Sequence, residues 1–245
     1  MIHLKSWAVP IALFLQATVW AGGPVEASHG GVAGAALSPS LTLARSFSAL
    51  NQGGSWDTVS VDIEAFLPKL AEHGRLRAVR RLLQPGRAEY QVLETEGDQT
   101  VKRQVIARYL TAEARAAAMP PASVAFTPAN YKFRYAGSIA TAGTLAYVYR
   151  ITPRKKRSGL IEGELWIDAG TGLTLHQSGR LVRKPSVFLR RVEITRDTTV
   201  REGIPYARVT HLSIDTRLVG PAELTITERP CTPACEEEVA AAGTR

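Results

Sequence analysis

From Trp56 onward, apolar and polar residues alternate along much of the chain. Val59, Val61, Ile63 and Ala65 are separated by Ser60, Asp62 and Glu64, a period of two that predicts a half-buried strand. Arg75 to Leu83 fits either a strand or a helix by its Leu76, Val79 and Leu83. Gly74 before it and the turn Gln84-Pro85-Gly86-Arg87 after it favour a strand, with Ala88 to Glu94 returning. After Gly97-Asp98 the period changes. Val101, Val105, Tyr109, Ala112 and Ala116 recur at helical spacing, Thr100 is the candidate N-cap, and Pro120-Pro121 marks the stop, so one amphipathic helix is expected over Val101 to Ala118. The remainder reads as a meander. Its strands are Tyr131 to Tyr135, then Leu145, Tyr147, Tyr149 and Ile151 on one face, then Glu164 to Asp168. Asp168-Ala-Gly170-Thr-Gly172 forms a hairpin turn with Leu173, Leu175 and Gln177 returning. Three further strands carry Phe188, Val192 and Ile194, then Arg208 to Ile214, then Leu224 and Ile226. Strand follows strand with turn signals between, and no internal repeat is present. The expected fold class is α+β, mostly β: an antiparallel sheet or barrel with one or two helices.

The first 40 residues follow a different pattern. Lys5 precedes an uncharged run from Ser6 to Trp20 that is short for a membrane span, and Val19 and Ala21 suit cleavage after Ala21. Residues 1–21 therefore read as a secretory signal peptide, with a second cleavage site at Val25 and Ala27 and an uncleaved anchor helix as alternatives. Residues 22–40, rich in Gly, Ala and Ser, read as a flexible leader. Leu43, Phe47 and Leu50 space a first helix over Leu41 to Leu50, ended by Asn51-Gln-Gly53-Gly54. Residues 41–229 then form one domain, long enough to bury a core, and 230–245 a polar tail. Export places the mature protein in the periplasm, soluble after cleavage.

Composition narrows the partners. The net charge is +8. In an exported protein such basicity points to anionic lipid head groups or another acidic envelope surface rather than to nucleic acid, with a merely solubilising surface as the plain alternative. Arg154-Lys155-Lys156-Arg157 concentrates that charge in a loop between two strands. Cys231 and Cys235 are the two cysteines, a pair that can close a local disulfide in an oxidising compartment. Catalytic signals are missing. His73, His176 and His211 are isolated in sequence, no metal-ligand spacing occurs, no Gly-x-Ser-x-Gly elbow is present, and Gly170-Thr-Gly172 lies between two strands with no helix to hold a phosphate. No cofactor, no metal and no enzymatic activity are expected.

The order of features from Val59 to Glu228 carries a family resemblance. A long helix follows the first strands. Then come Tyr131-Lys-Phe133-Arg-Tyr135, Ala146-Tyr-Val148-Tyr-Arg150-Ile-Thr152-Pro153 and Gly163-Glu-Leu165-Trp166-Ile167-Asp168. The strands Val187 to Thr195 and Tyr206 to Asp215 follow, and Gly220-Pro-Ala222-Glu-Leu224-Thr-Ile226 closes the series. This succession resembles the LolA-like superfamily of envelope proteins, which includes lipoprotein carriers, their outer-membrane receptors and RseB-like sensors. The resemblance implies an incomplete antiparallel β-barrel, or half-barrel, covered by helices, with an apolar cavity between sheet and helices. It implies lipid acyl chains or lipoproteins as ligands, carried toward the outer membrane, or alternatively an envelope-stress sensor or scaffold that binds a protein. The residues expected to line the cavity are Tyr147, Tyr149, Leu165, Ile167, Leu175, Ile194 and Ile214. Ordinary core packing is the alternative for each of them, and a slip of one residue would turn any strand's face.

Overall fold

The computed structural model describes residues 37–52, 56–84, 87–141, 144–183, 189–216, 220–233 and 235. The expected signal peptide, nearly all of the expected leader, the Gly53-Gly54 stop, Phe188 and the end of the tail lie outside these residues.

Helix α1 spans Pro39–Gln52. Pro39 and Ser40, expected in the leader, are its first turn, as a proline's fixed φ allows. Three strands follow, β1 Thr58–Leu67, β2 Glu72–Gln84 and β3 Arg87–Gly97. A helical segment comes next. It comprises α2 (Gln99–Val101), a π-helical turn (Lys102–Ile106) and α3 (Ala107–Ala117). Seven strands complete the chain: β4 Tyr131–Thr141, β5 Thr144–Pro153, β6 Ile161–Asp168, β7 Thr174–Leu181, β8 Leu189–Arg201, β9 Ile204–Thr216 and β10 Pro221–Pro230. All ten lie in one antiparallel sheet of order β3-β2-β1-β10-β9-β8-β7-β6-β5-β4. The sheet is open, with β3 and β4 as its edges. The expected mostly-β class with an incomplete barrel and helical cover is what the chain adopts.

The long helix departs from its expected form in two ways. Its N-cap is Asp98, not Thr100: the Asp98 carboxylate accepts from the backbone N–H of Thr100 at 2.6 Å and of Val101 at 2.9 Å. An ionised carboxylate also suits the positive end of the helix better than a hydroxyl does. Second, the π turn adds a residue, so the buried face runs Val101, Ile106, Tyr109, Ala112 and Ala116, with Ile106 in the place expected of Val105. Among the strands, β1 shows the expected alternation without a break, and Val59, Val61, Ile63, Ala65 and Leu67 are all buried. Two irregularities matter for the edges. The pairing of β2 with β3 skips Leu93, and that of β4 with β5 skips Ala136 beside Gly137. Val92, opposite Ala78, lies on the same side as Tyr90, opposite Arg80, but is exposed at the edge.

One apolar core joins the inner face of the sheet, from β1 to β10, to the helices. The two helical elements cover different parts of it. The α2–α3 segment packs on β1, β2 and β3, and α1 sits by β6. At the end of β10 the expected disulfide between Cys231 and Cys235 is present, and Cys231 N–H still donates to the Thr58 carbonyl, at 3.1 Å. The ordered sheet hydrogen bonding thus runs past the boundary at which the polar tail was expected to begin.

Candidate functional site

Register decides which side chains share the inner face. Tyr147 stands opposite Ile167 and Tyr149 opposite Leu165 across β5 and β6, Leu165 opposite Gln177 on β7, and Val192 opposite Ile214 across β8 and β9. Six of the seven residues expected to line a cavity, Tyr147, Tyr149, Leu165, Ile167, Ile194 and Ile214, therefore face the same interior and are buried. Leu175 is set apart. A register shift pairs Trp166 with His176 and Ile167 with Thr174, which leaves Leu175 unpaired with β6 and only half-buried.

Helix α1 lies over part of this face and is fastened mainly by its N-terminal end. The Tyr147 hydroxyl donates to the Leu37 carbonyl at 2.7 Å, and the Tyr149 hydroxyl to the Pro39 carbonyl at 2.6 Å. Thr42 donates to the Ala169 carbonyl at 3.4 Å and Arg45 to the Gly170 carbonyl at 2.8 Å. The receiving surface is the β6–β7 turn. Asp168 Oδ1 orders it by accepting from Gly170 N–H, Thr171 N–H and the Thr171 hydroxyl. Gly172 ends that turn with φ of +78°, a conformation that favours glycine, and a Cβ there would crowd Arg45 Cγ at 3.1 Å. Among the described side chains of α1, Leu43 packs on the core, and the Phe47 and Phe133 ring centroids are 5.1 Å apart. Burial pushes the Tyr149 hydroxyl up to about 12, so it donates its proton throughout the physiological range.

The part of the interior under α3 has a different chemistry, which the sequence pattern did not reveal. Arg80 Nη1 donates to Glu113 Oε1 and to Glu228 Oε1, both at 2.9 Å. Arg208 Nη1 is 3.5 Å from Glu228 Oε2, and its guanidinium lies 5.4 Å from the Trp56 ring centre. Arg196 is buried and donates from Nε to the Thr210 hydroxyl at 3.1 Å. Three guanidiniums thus share a dry space with two carboxylates. Burial pulls Arg196 down to about 10, helped by the neighbouring Arg208. Burial also raises Glu113 above the ordinary carboxylate range, Arg80 only partly offsetting it. For Glu228 burial acts in the same direction but loses to Arg80, Arg208 and Arg196, which together hold it below that range.

The outer face is occupied by paired charges and rings. His176 Nδ1 lies 2.6 Å from Asp197 Oδ1 with its ring centroid 4.4 Å from that of Trp166, His211 bonds Thr225, and His73 stacks on Phe66 at 4.2 Å. Each of these three histidines has a local structural partner. A depression of about 430 Å³ on this face is lined by Glu64, Phe66, His73, Arg75, Glu96 and Glu223, among others. No group of metal-binding side chains occurs among the described residues, and none of their helices is long and apolar enough to cross a membrane.

No family model matches the chain, and no curated protein matches it in sequence. Solved structures do. A LolA superfamily protein from Nitrosomonas europaea is similar over 70% of this chain and 82% of its own, at 14% identity and a TM-score of 0.38. A domain described as an outer membrane lipoprotein-sorting protein from Vibrio parahaemolyticus is similar over 76% of this chain and 89% of its own, at 10% identity and a TM-score of 0.34. The MucA/MucB complex structure from Pseudomonas aeruginosa is matched over 82% of this chain and 95% of that one, at 15% identity and a TM-score of 0.22. A LolA superfamily protein, of the family whose resemblance was read from the sequence, is thus among the solved structures similar to the chain. The functional reading below rests on the geometry of the interior.

Proposed function

We propose that this protein binds lipid acyl chains, free or on a lipoprotein, between the inner face of the sheet and α1, as a non-enzymatic carrier of the cell envelope. The observation that supports it most is the way α1 is held. An apolar face made by Phe133, Tyr147, Tyr149, Leu165 and Ile167 is covered by a helix whose described fastenings include four side-chain hydrogen bonds to neutral acceptors and two apolar side chains. Such bonds contribute about 1 kcal/mol each and such side chains about 2–3 kcal/mol each, so lifting the helix costs roughly 9 kcal/mol. A hydrocarbon chain gains about 0.8 kcal/mol per buried methylene, and a chain of about twelve methylenes replaces what the helix gives up. Ordinary membrane acyl chains exceed that length, and short ones do not. Tyr147 and Tyr149 would then present hydroxyls at the mouth while their rings contact the chain.

The test is binding of fluorescent fatty acids of graded chain length, with native mass spectrometry of the protein purified from an envelope fraction. Affinity should rise steeply with length, and Tyr149→Asp should abolish uptake while the β circular dichroism signal persists. Absence of uptake at every length, by a protein that also carries no co-purifying lipid, would reject the acyl-chain reading in favour of an envelope sensor or scaffold that binds a protein.

A further inference from the structure

Several arginines of the sheet's outer face are matched with carboxylates. Arg75 bonds Asp62 at 2.9 Å, Arg77 bonds Glu94 at 3.1 Å, Arg180 bonds Glu162 at 3.0 Å, and Arg150 lies 3.8 Å from Glu164. One end of the sheet gathers several cations without such a partner. There the start of β4, the loop from β5 to β6 and the residues following β7 come together. Lys132, Arg154, Lys155, Lys156, Arg157 and Arg183 are all exposed there, and none has a carboxylate within ion-pair distance among the described residues.

The topology makes these six cations one surface. Val182 N–H donates to the Leu160 carbonyl at 3.0 Å, which brings Arg183 beside the β5–β6 loop, and Arg154 N–H donates to the Asn130 carbonyl at 2.8 Å, which brings in Lys132. Neighbouring strands lie about 4.8 Å apart, within the screening length of about 8 Å at physiological salt, so charges on adjacent strands act together.

The loop is also built to hold its shape. Asn130 is buried, and its Nδ2 donates to the carbonyls of Ala122 and Ala125, both at 2.9 Å, while its Oδ1 accepts from Arg157 at 2.6 Å. Arg154 donates from Nε to the Pro128 carbonyl at 2.6 Å. Gly159, at φ +90°, lets the loop turn back so that Leu160 is fully buried. Arg154 and Arg157 are therefore positioned by neutral acceptors, which orient a guanidinium without cancelling its charge. A hairpin tip that merely needed solubility would not require a buried asparagine to fix its arginines.

We infer that this end of the sheet docks on the anionic head groups of a lipid bilayer. An array of uncompensated cations around a hydrogen-bonded loop fits a dense, laterally uniform layer of phosphates, where each Lys or Arg near the surface adds about 1 kcal/mol. The site of contact is distinct from the mouth under α1, which lies by the β6–β7 turn at the opposite end of the strands, so the inference stands whether or not acyl chains bind inside.

Vesicle co-flotation tests it, using the expressed protein as the cell processes it. The vesicles are phosphatidylcholine alone or with about one part in three phosphatidylglycerol. Binding is expected only to the anionic vesicles and is reversed by high salt. The double variant Lys155→Glu/Lys156→Glu, whose side chains make no contact that folding would miss, should weaken it about tenfold or more. Arg81→Glu/Arg229→Glu, an equal charge reversal on exposed residues at the opposite end, should leave it unchanged. Equal loss in both variants would mean that net charge alone acts, and would overturn the assignment. So would equal binding to both vesicles, or binding to neither by a protein that binds an acidic polypeptide through the same lysines.

Discussion

The two parts of the sheet's inner face differ in what fills them and in how they are covered. Under α1 the filling is Tyr147, Tyr149, Leu165 and Ile167, and the cover is held from its rim. Under α3 the filling includes Arg80, Arg196, Arg208, Glu113 and Glu228, and the cover is held from its middle by Glu113. Apolar surface attracts any apolar surface, so a cover over it can be exchanged for a ligand. Buried charges behave otherwise. Each costs several kcal/mol to desolvate and tolerates only partners in good geometry, so a cover bonded to them cannot be replaced by hydrocarbon. The charged part therefore fixes α3 to β2 and β10, while on the proposed reading the apolar part leaves α1 exchangeable.

The comparison breaks most decisively at Glu228. Glu228→Leu removes the carboxylate shared by Arg80 and Arg208 and leaves three buried guanidiniums with one, so a loss of about 3–5 kcal/mol is expected in urea unfolding. A loss below about 1 kcal/mol would mean that water reaches this interior and the contrast is false. A milder change sharpens the other side. Tyr149→Phe deletes one hydrogen bond to α1 at a cost of about 1 kcal/mol, and because it loosens the exchangeable cover it should increase uptake of an apolar dye by the folded protein. Reduced uptake would assign α1 to the permanent core.

Glu113→Gln should alter a slope rather than a level. Unfolded Glu113 loses its proton near its ordinary value of 4.5, and burial makes the folded state keep it to higher pH. As pH rises through that window the unfolded state binds fewer protons, so stability falls. Glu228 works in the opposite sense, since its stabilisation is present above the ordinary value and is lost as pH falls through its depressed one. Melting temperature against pH should therefore decline above 4.5 in the parent and decline less in Glu113→Gln, with acid-side destabilisation retained in both. Parallel curves would show that Glu113 stays ionised in the folded protein.

The apolar part of the interior was legible in the chain because alternation is what a half-buried strand requires: Val59, Val61, Ile63 and Ala65 fall where the period puts them. The charged part was not, because a charged residue in a strand is ordinarily read as facing water. Parity held the clue. Arg208 and Thr210 continue the stripe of Leu212 and Ile214, Arg196 continues that of Val192 and Ile194, and Glu228 that of Leu224 and Ile226. Three neighbouring stripes that end in charge at the same level of the sheet mark a shared interior, which needs the strand order before it can be seen. The bulge at Leu175 and the π turn at Lys102–Ile106 were hidden for a simpler reason. Each adds one residue to a period, and a single insertion leaves the composition of the segment unchanged.

The two open edges of the sheet bear on how the molecule meets its own copies. A ten-stranded sheet with free edges offers backbone donors and acceptors to any neighbour, and could in principle grow by strand addition. Edge β3 carries Glu89, Glu94 and Glu96 outward, and edge β4 carries Lys132 and Arg134, so like edges repel. Unlike edges attract, which is the arrangement that would propagate without end. The interruptions at Leu93 and Ala136 stand against it, since a ladder drawn along either edge loses its register partway. Crowded, low-salt conditions test that safeguard hardest, because there the attraction between unlike edges is least screened.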